Sequence, residues 1–329
     1  MTPPVVSHGV PEVLVIGAGV SGLTTAACLA EAGLSTAIRT ERLPGDSTSA
    51  AAGALWGQHL VHGDRVPGWG RQTLDVLRDL AGVAGTGVSM MTGAEVSRTP
   101  ADRPPDPLDG LRPCGPAELP AGFACGWRYT APVADMPVYL GYLLARFERA
   151  GGQLTAGPVR SFAEAAAGGA ADGSAAPVIV NCTGAAARDL VPDPAVVPVR
   201  GQVVLAANPG ISEFLVAMGD RPNEVNYLFP HGDVVLLGGT EEEGNWSLAP
   251  DPRTADRIVR DCAALDPRLR GARVAGHRVG LRPYRPEVRL EAERLPGGRL
   301  LIHNYGHGGA GVSLSWGCAL EILDLVRAT

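Results

Sequence analysis

A glycine-rich turn near the start of the chain is the first group of residues that could bind a ligand. Gly17-Ala18-Gly19-Val20-Ser21-Gly22 follows a short apolar run and precedes a helix-like segment. In this context the glycines permit a tight turn and a close approach of the backbone to a pyrophosphate. The amide groups at the helix N-terminus then face the phosphates. The sequence therefore predicts a dinucleotide site at residues 17–22.

An acidic residue about 20 positions after this turn is expected to accept a hydrogen bond from a ribose hydroxyl. Glu41 lies there and is followed by Arg42, whereas the neighbouring position holds Thr40. Glu41 could equally be a solvated surface residue. The turn and the acid together do not decide between FAD and NAD.

Four further motifs carry more specific information. Val180-Asn181-Cys182-Thr183-Gly184 follows a short apolar strand, and Tyr227-Leu228-Phe229-Pro230 begins another. Two others lie near the C-terminus, Val279-Gly280-Leu281-Arg282-Pro283-Tyr284-Arg285 and His303-Asn304-Tyr305-Gly306-His307-Gly308-Gly309-Ala310-Gly311-Val312-Ser313. With the first turn, these motifs resemble the D-amino-acid oxidase family of FAD-dependent enzymes over most of the chain.

The resemblance implies FAD, bound without a covalent link, and a role for each motif. Arg282 would clamp the substrate carboxylate with its planar fork, Tyr227 would donate its hydroxyl to that carboxylate, and backbone near Gly309 would receive the amino group. The residues expected at the cofactor are Gly17, Ala18, Gly19, Val20, Ser21, Gly22, Glu41, Arg42, Ala52, Gly53, Val159, Thr183, Gly184, Gly308, Gly309, Ala310, Gly311, Val312 and Ser313. No metal is expected.

Two positions depart from the family pattern in the expected substrate pocket, which also includes Trp56. Asn223 stands where many relatives carry a second tyrosine, and Glu241 stands where an apolar or aromatic residue is usual. A pocket-facing Glu241 would favour basic or polar side chains over acidic ones, because an unpaired buried carboxylate is costly. The run Glu241-Glu242-Glu243 before a glycine is also typical of a solvated turn.

The implied reaction is oxidative deamination of a D-amino acid by hydride transfer from Cα to flavin N5, giving a 2-oxo acid, ammonia and hydrogen peroxide. Two alternatives remain open: a flavin oxidase or dehydrogenase of glycine or N-methyl amino acids, and a non-catalytic nucleotide-binding regulator. No side-chain base is required, so His303 and His307 are interpreted as packed or hydrogen-bonded residues. Arg285 and Arg289 are interpreted as ion-pair residues.

The elements that must position these residues follow an α/β pattern. A β-α-β unit is predicted from a strand at residues 12–16, a helix at residues 23–32 and a second strand at residues 35–39. An amphipathic helix is predicted from Pro137 to Ala150. Seven prolines make residues 99–121 extended or looped. The pattern of strands and turns over residues 202–239 predicts antiparallel strands that form a separate layer. A strand at residues 300–302 and a helix from Trp316 to Val326 end the chain.

The predicted architecture is a doubly wound, Rossmann-like FAD domain with an inserted, mostly antiparallel substrate domain. Residues 1–56, 135–190 and 280–329 are assigned to the FAD domain, and residues 57–134 and 191–279 to the substrate domain.

The bulk composition excludes several classes of function. The net charge is −6 and no lysine occurs, so there is no basic stripe for nucleic acid. No apolar run is long enough to span a membrane, and the first residues do not form a secretory signal. The six cysteines contain no CxxC pair and suit a reducing compartment. We therefore expect a cytoplasmic enzyme whose partners are an amino acid and O2, with a homodimer left open.

Overall fold

The computed structural model describes residues 10–100, 108–167, 175–219 and 225–329. The strands are β1 (Val13–Ile16), β2 (Thr36–Thr40), β3 (Val88–Ser97), β4 (Asp109–Pro113), β5 (Cys125–Ala134), β6 (Gln153–Ala156), β7 (Val178–Asn181), β8 (Val197–Ala207), β9 (Phe214–Met218), β10 (Val225–His231), β11 (Val234–Gly238), β12 (Glu242–Glu243), β13 (Val274–Arg294) and β14 (Leu300–His307). The α-helices are α1 (Val20–Glu31), α2 (Val66–Ala81), α3 (Met136–Arg149), α4 (Phe162–Ala167), α5 (Ala187–Leu190), α6 (Pro252–Leu265) and α7 (Gly311–Arg327).

One end of the sheet is parallel and carries the first β-α-β unit. Its strand order is β14-β7-β1-β2-β6, and each neighbouring pair is parallel. Alternate residues of β1 enter different cores: Val13 and Val15 pack with α1, α3 and α7, whereas Leu14 and Ile16 pack against Phe162 of α4. Strands buried on both faces are uniformly apolar, and β1 follows that rule.

The other end of the sheet is mostly antiparallel. Its order is β4-β5-β3-β9-β10-β11-β8-β13, and β3 with β9 is the parallel exception. Helix α6 covers one face through Ile258 and Cys262, which pack with Val204, Leu228 and Leu237. Asp251 caps that helix by accepting a hydrogen bond from the amide of Thr254 at 2.8 Å. The opposite face is therefore left to line a ligand cavity.

The predicted α/β class with an inserted antiparallel region is confirmed, with two differences in detail. The antiparallel strands do not form a separate layer, because β13 pairs with both β8 and β14 and joins the two ends into one hydrogen-bonded sheet. The last helix begins at Gly311, before the predicted Trp316. The first turn contains glycine and serine, so the spacing of apolar residues does not indicate that the helix begins there.

The proline-rich segment is partly described. Residues 101–107 lie outside the described residues, and Asp109–Pro113 forms a short edge strand beside β5. No helix in the part of the chain that the structure describes is long and apolar enough to cross a membrane.

Candidate active site

A cavity of about 810 Å³ extends from the dinucleotide turn to the antiparallel face of the sheet. Every described residue that the sequence predicted for the ligands lines it, with the exceptions of Gly22 and Ala310. Asn223 lies outside the described residues. Among the described residues no group of three or more histidines, cysteines and acids is placed to hold a metal ion.

The dinucleotide turn joins β1 to α1 as predicted. Gly17 has a φ of +106° and its amide donates to the carbonyl of Arg39 at 2.9 Å, which fixes the turn between β1 and β2. A Cβ on Gly22 would lie 2.0 Å from the carbonyl oxygen of Gly17. Gly22 therefore acts from behind the cavity, because only glycine lets the helix pack this closely on the turn.

Ser49 is a residue of this region that sequence reasoning missed. Its Oγ accepts a hydrogen bond from the amide of Val20 at 3.0 Å and so holds the start of α1 beside the cavity. Thr40, Glu41 and Arg42 also line the cavity, and Thr40 Oγ1 donates to the carbonyl of Arg42 at 2.7 Å. Glu41 is exposed at the rim, so its contact with a ribose stays a prediction.

The turn after β7 is ordered by a chain of buried polar groups. The amide and Oγ1 of Thr183 donate to Asn181 Oδ1 at 3.2 and 2.7 Å. Asn181 Nδ2 lies 3.3 Å from His303 Nδ1, and His303 Nε2 lies 3.2 Å from Glu293 Oε1. Burial, with the charge of Arg289, lowers the pKa of His303. The interpretation of His303 as a hydrogen-bonded core residue is confirmed.

The glycine-rich C-terminal motif forms the middle of the cavity wall. The amide of Gly309 donates to the carbonyl of His59 at 3.0 Å, and Ser313 Oγ accepts from the amide of Gly57 at 3.0 Å. His307 is buried beside this wall, and burial lowers its pKa to about 4. It is a packed, neutral residue, as the sequence indicated.

Arg282 extends from β13 into the cavity. Its Nη1 donates to the carbonyl of Thr240 at 2.9 Å. A Cβ on Gly201 of the neighbouring strand would lie 2.5 Å from Nη1, so the guanidinium rests on bare backbone. The neighbouring arginines have other partners: Arg285 pairs with Asp193 at 3.1 Å and Arg289 with Glu291 at 2.6 Å. Their interpretation as ion-pair residues is confirmed.

Tyr227 lies on the same face of the sheet as Arg282. It stacks on Phe229 with ring centroids 4.8 Å apart, and its ring lies against Gly238. Burial raises the pKa of Tyr227, and the positive charge of Arg282 acts in the opposite direction. The hydroxyl therefore stays protonated beside a guanidinium, which is what a two-point carboxylate clamp requires.

Glu241 lines the cavity and is paired. Its Oε1 lies 2.5 Å from His59 Nε2, and its side chain is 8% exposed. Burial raises the pKa of Glu241, but the hydrogen bond and charge of His59 and the charge of Arg282 bring it below its usual value. Trp56 also lines the cavity, and its Nε1 donates to the carbonyl of Gly70 at 3.2 Å.

Two more polar residues of the cavity were not foreseen, Glu95 and Tyr129. Tyr129 Oη donates to Glu95 Oε2 at 3.2 Å. Glu95 lies in β3 among polar and apolar residues, so nothing in the sequence near it distinguishes it from a surface glutamate. The strand register alone brings it to the cavity.

The shape of the cavity suits FAD. One end begins at the N-terminus of α1, where helix amides would stabilise a pyrophosphate, and the glycine wall at residues 308–311 lines the cavity where a ring system would lie. Thr183 and Gly184 lie between these points. Arg282 and Tyr227 lie beyond the glycine wall, where a small substrate would meet the ring.

The comparisons with known proteins agree with this geometry. The chain is 47% identical over 323 residues to a D-amino-acid oxidase of Rubrobacter xylanophilus, with 97% of each chain covered. It is 47% identical over 323 residues to a D-amino-acid oxidase of Streptomyces coelicolor, covering 95% of this chain and 96% of that one. The solved glycine oxidase of Geobacillus kaustophilus shares the fold, with a TM-score of 0.78 and 19% identity over 97% of this chain and 95% of that chain.

A family model described as FAD dependent oxidoreductase matches residues 12–325. The chain therefore belongs to the DAO family of FAD-dependent oxidoreductases.

Proposed function

We propose that this chain is a D-amino-acid oxidase, which converts a D-amino acid and O2 to a 2-oxo acid, ammonia and hydrogen peroxide. The observation that carries the proposal is the pairing of Arg282 with Tyr227 on one face of the sheet, next to the glycine wall at residues 308–311. Two relatives of that activity at 47% identity support it.

The geometry supports the following roles for the side chains. Arg282 and Tyr227 bind the α-carboxylate and fix the orientation of the substrate, and backbone at Gly309 receives the amino group. When bound, FAD supplies the two-electron acceptor that takes the hydride from Cα. The imino acid then hydrolyses in water.

A general base is not required from the protein if the amine enters neutral. His307 is near the glycine wall, but it is buried and its depressed pKa leaves it neutral. His59 is engaged by Glu241. The enzyme's contribution is therefore to position the Cα–H bond and to bind the carboxylate, with no proton transfer assigned to a histidine.

The division of the chain into domains is part of the proposal. Residues 1–56, 135–190 and 280–329 would hold the cofactor, and residues 57–134 and 191–279 would hold the substrate. The parallel strands β1, β2, β6 and β7 fall in the first set and the strands around Tyr227 in the second, which supports this division. We also propose a cytoplasmic location, supported by six cysteines that are all free thiols.

A spectroscopic experiment tests the proposed function. The purified yellow protein is mixed without oxygen with D-alanine, L-alanine, glycine and sarcosine in turn, and the flavin absorbance is followed. We expect rapid bleaching by the D-amino acid, slow or no bleaching by the others, and stoichiometric peroxide when oxygen is admitted. Faster bleaching by glycine or sarcosine, or bleaching without peroxide, would contradict the proposal, and no bleaching at all would favour a non-catalytic role.

A further inference from the structure

Glu95 lies in the same cross-strand row as Tyr227. The register pairs Glu95 of β3 with Val216 of β9, and Val216 with Tyr227 of β10. Residues paired in this way point to the same face of a sheet. Neighbouring strands are about 4.8 Å apart, so two strand spacings separate Glu95 from Tyr227 by about 10 Å. Both side chains line the one cavity.

The surface between these two polar ends is apolar. Val216 lies between them in the row, and Leu108, Met218 and Phe229 line the same part of the cavity. A substrate held at Tyr227 would therefore lay its side chain along an apolar wall that ends at a carboxylate. That arrangement suits a long aliphatic stem with a polar terminus.

Glu95 has no cationic partner of its own in the described part of the chain. Its one side-chain hydrogen bond comes from Tyr129 Oη at 3.2 Å, and no described arginine or histidine forms an ion pair with it. Burial raises the pKa of Glu95, against the smaller effects of the Tyr129 hydrogen bond and the charge of His59. A carboxylate in this position gains free energy from an incoming cation.

Glu241 differs from Glu95 in this respect. Its carboxylate already contacts His59 Nε2 at 2.5 Å and feels the charge of Arg282. Arg282 in turn is neutralised when it binds the substrate carboxylate. On the substrate side of the cavity Glu241 therefore has a histidine contact, whereas the described contact of Glu95 is with the hydroxyl of Tyr129.

We propose that Glu95 binds the distal cation of a basic D-amino acid, while Arg282 and Tyr227 bind its α-carboxylate. The inference rests on the proposed function and adds the substrate class, D-amino acids with an ammonium or guanidinium at the end of an aliphatic side chain. An acidic side chain would meet the carboxylate of Glu95 and is excluded by repulsion.

Two pairs of substrates test the inference: one pair differs in charge but little in shape, and the other differs by the terminal ammonium group. D-arginine is compared with D-citrulline, and D-lysine with D-norleucine, by kcat/KM at saturating FAD. Because a hydrogen bond to a charged group is stronger than one between neutral groups, we expect the wild-type holoenzyme to prefer the charged member of each pair by about tenfold or more. Equal rates within both pairs would overturn the inference without any variant.

Variants then test whether Glu95 is the source of the preference for cationic substrates. In Glu95→Gln, which keeps the shape of the side chain, kcat/KM for D-arginine should fall about tenfold or more while that for D-citrulline stays within about twofold. Glu95→Asp should retain part of the preference. Glu241→Gln should change the ratio less, because that carboxylate already has a side-chain partner in His59. Glu148→Gln, an exposed change on α3, is the matched control and should leave both rates unchanged.

The outcomes separate this inference from the proposed function. If the protein oxidises neutral D-amino acids as fast as cationic ones, the proposed function is supported and the proposed role of Glu95 is contradicted. In a Glu95→Gln protein that keeps its flavin absorbance, an equal fall in kcat/KM for D-arginine and D-citrulline would show that Glu95 maintains the structure of the pocket and does not discriminate between charged and neutral substrates. Failure of every D-amino acid in the wild type would remove the function itself.

Discussion

The guanidinium of Arg282 lies flat against the backbone of Gly201, at a position where a Cβ on Gly201 would be 2.5 Å from Nη1 and 2.8 Å from Cζ. The two residues are on paired strands, β13 and β8. The position of the arginine proposed to bind the carboxylate therefore depends on a neighbouring residue that has no side chain.

Gly201→Ala should displace Arg282 without removing it. We expect kcat/KM for a D-amino acid to fall about tenfold, mainly through KM, because a shift of the fork weakens a bidentate contact. Flavin content should stay unchanged. Gly276→Ala is the matched control, since its new Cβ would meet only Leu205 Cδ1 at 3.8 Å. Equal kinetics for the two variants would show that Arg282 accommodates the methyl group.

Arg282→Ala removes the clamp itself. Loss of one member of a charged, hydrogen-bonded pair costs about 2–5 kcal/mol, so kcat/KM should fall about thirtyfold or more while FAD stays bound. Arg282→Lys should recover little, because an ammonium cannot form the planar fork. Steady-state kinetics with flavin absorbance as the control measure both effects, and a near-normal alanine variant would reassign the clamp.

FAD should be released by denaturation. Cys182 lines the cavity, but burial raises the pKa of its thiol to about 12, so it remains protonated and unreactive. After acid or heat precipitation the yellow colour should stay in the supernatant, and mass spectrometry should give the mass of free FAD. Colour retained in the precipitated protein would indicate a covalent link.

The stability of the folded protein should fall between pH 6.5 and pH 4 because of His307. Its pKa in the folded state is about 4, below the ordinary 6.5, since burial disfavours the charged ring. In that window the unfolded chain binds a proton that the folded chain does not, so stability is lost as pH falls through 6.5 and the loss levels off below 4. The expected loss is about 3 kcal/mol.

Denaturant unfolding at several pH values checks this effect, with FAD in excess throughout. His307→Gln should have a flatter pH dependence than the wild type, because the difference between the two proteins cancels the other titrating groups. His277→Gln, at an exposed position, should keep the wild-type slope. Identical slopes for His307→Gln and the wild type would mean that His307 is protonated without cost.

Local patterns predicted the parts of this protein that depend on neighbours in the sequence. The turn at residues 17–22, the run of β1 and the glycine motif at residues 308–313 need particular residue types at fixed spacing, because backbone must bend and approach a ligand there. Arg282 and Tyr227 were assigned through the resemblance of their motifs to the D-amino-acid oxidase family. These residues lie where the sequence placed them, around one cavity.

The partners of the charged residues depended on the tertiary structure. Glu241 is 182 positions from His59 in the chain, and the sequence could not show that the two would pair. Glu95 reaches the cavity only through the register of β3 with β9, and a shift of one residue would turn it to the other face of the sheet. The long strand β13, which joins both ends of the sheet, likewise has no local signal.

The sequence by itself thus determined the cofactor turn and the α/β class, because each depends on residue types at short spacing, while the proposed carboxylate clamp of Arg282 and Tyr227 came from the resemblance of their motifs to the family. The tertiary structure decided which of the charged residues are paired. The physical reason is that ion pairing and burial depend on distances between strands that are far apart in the chain, and period-two alternation in each strand is compatible with many registers.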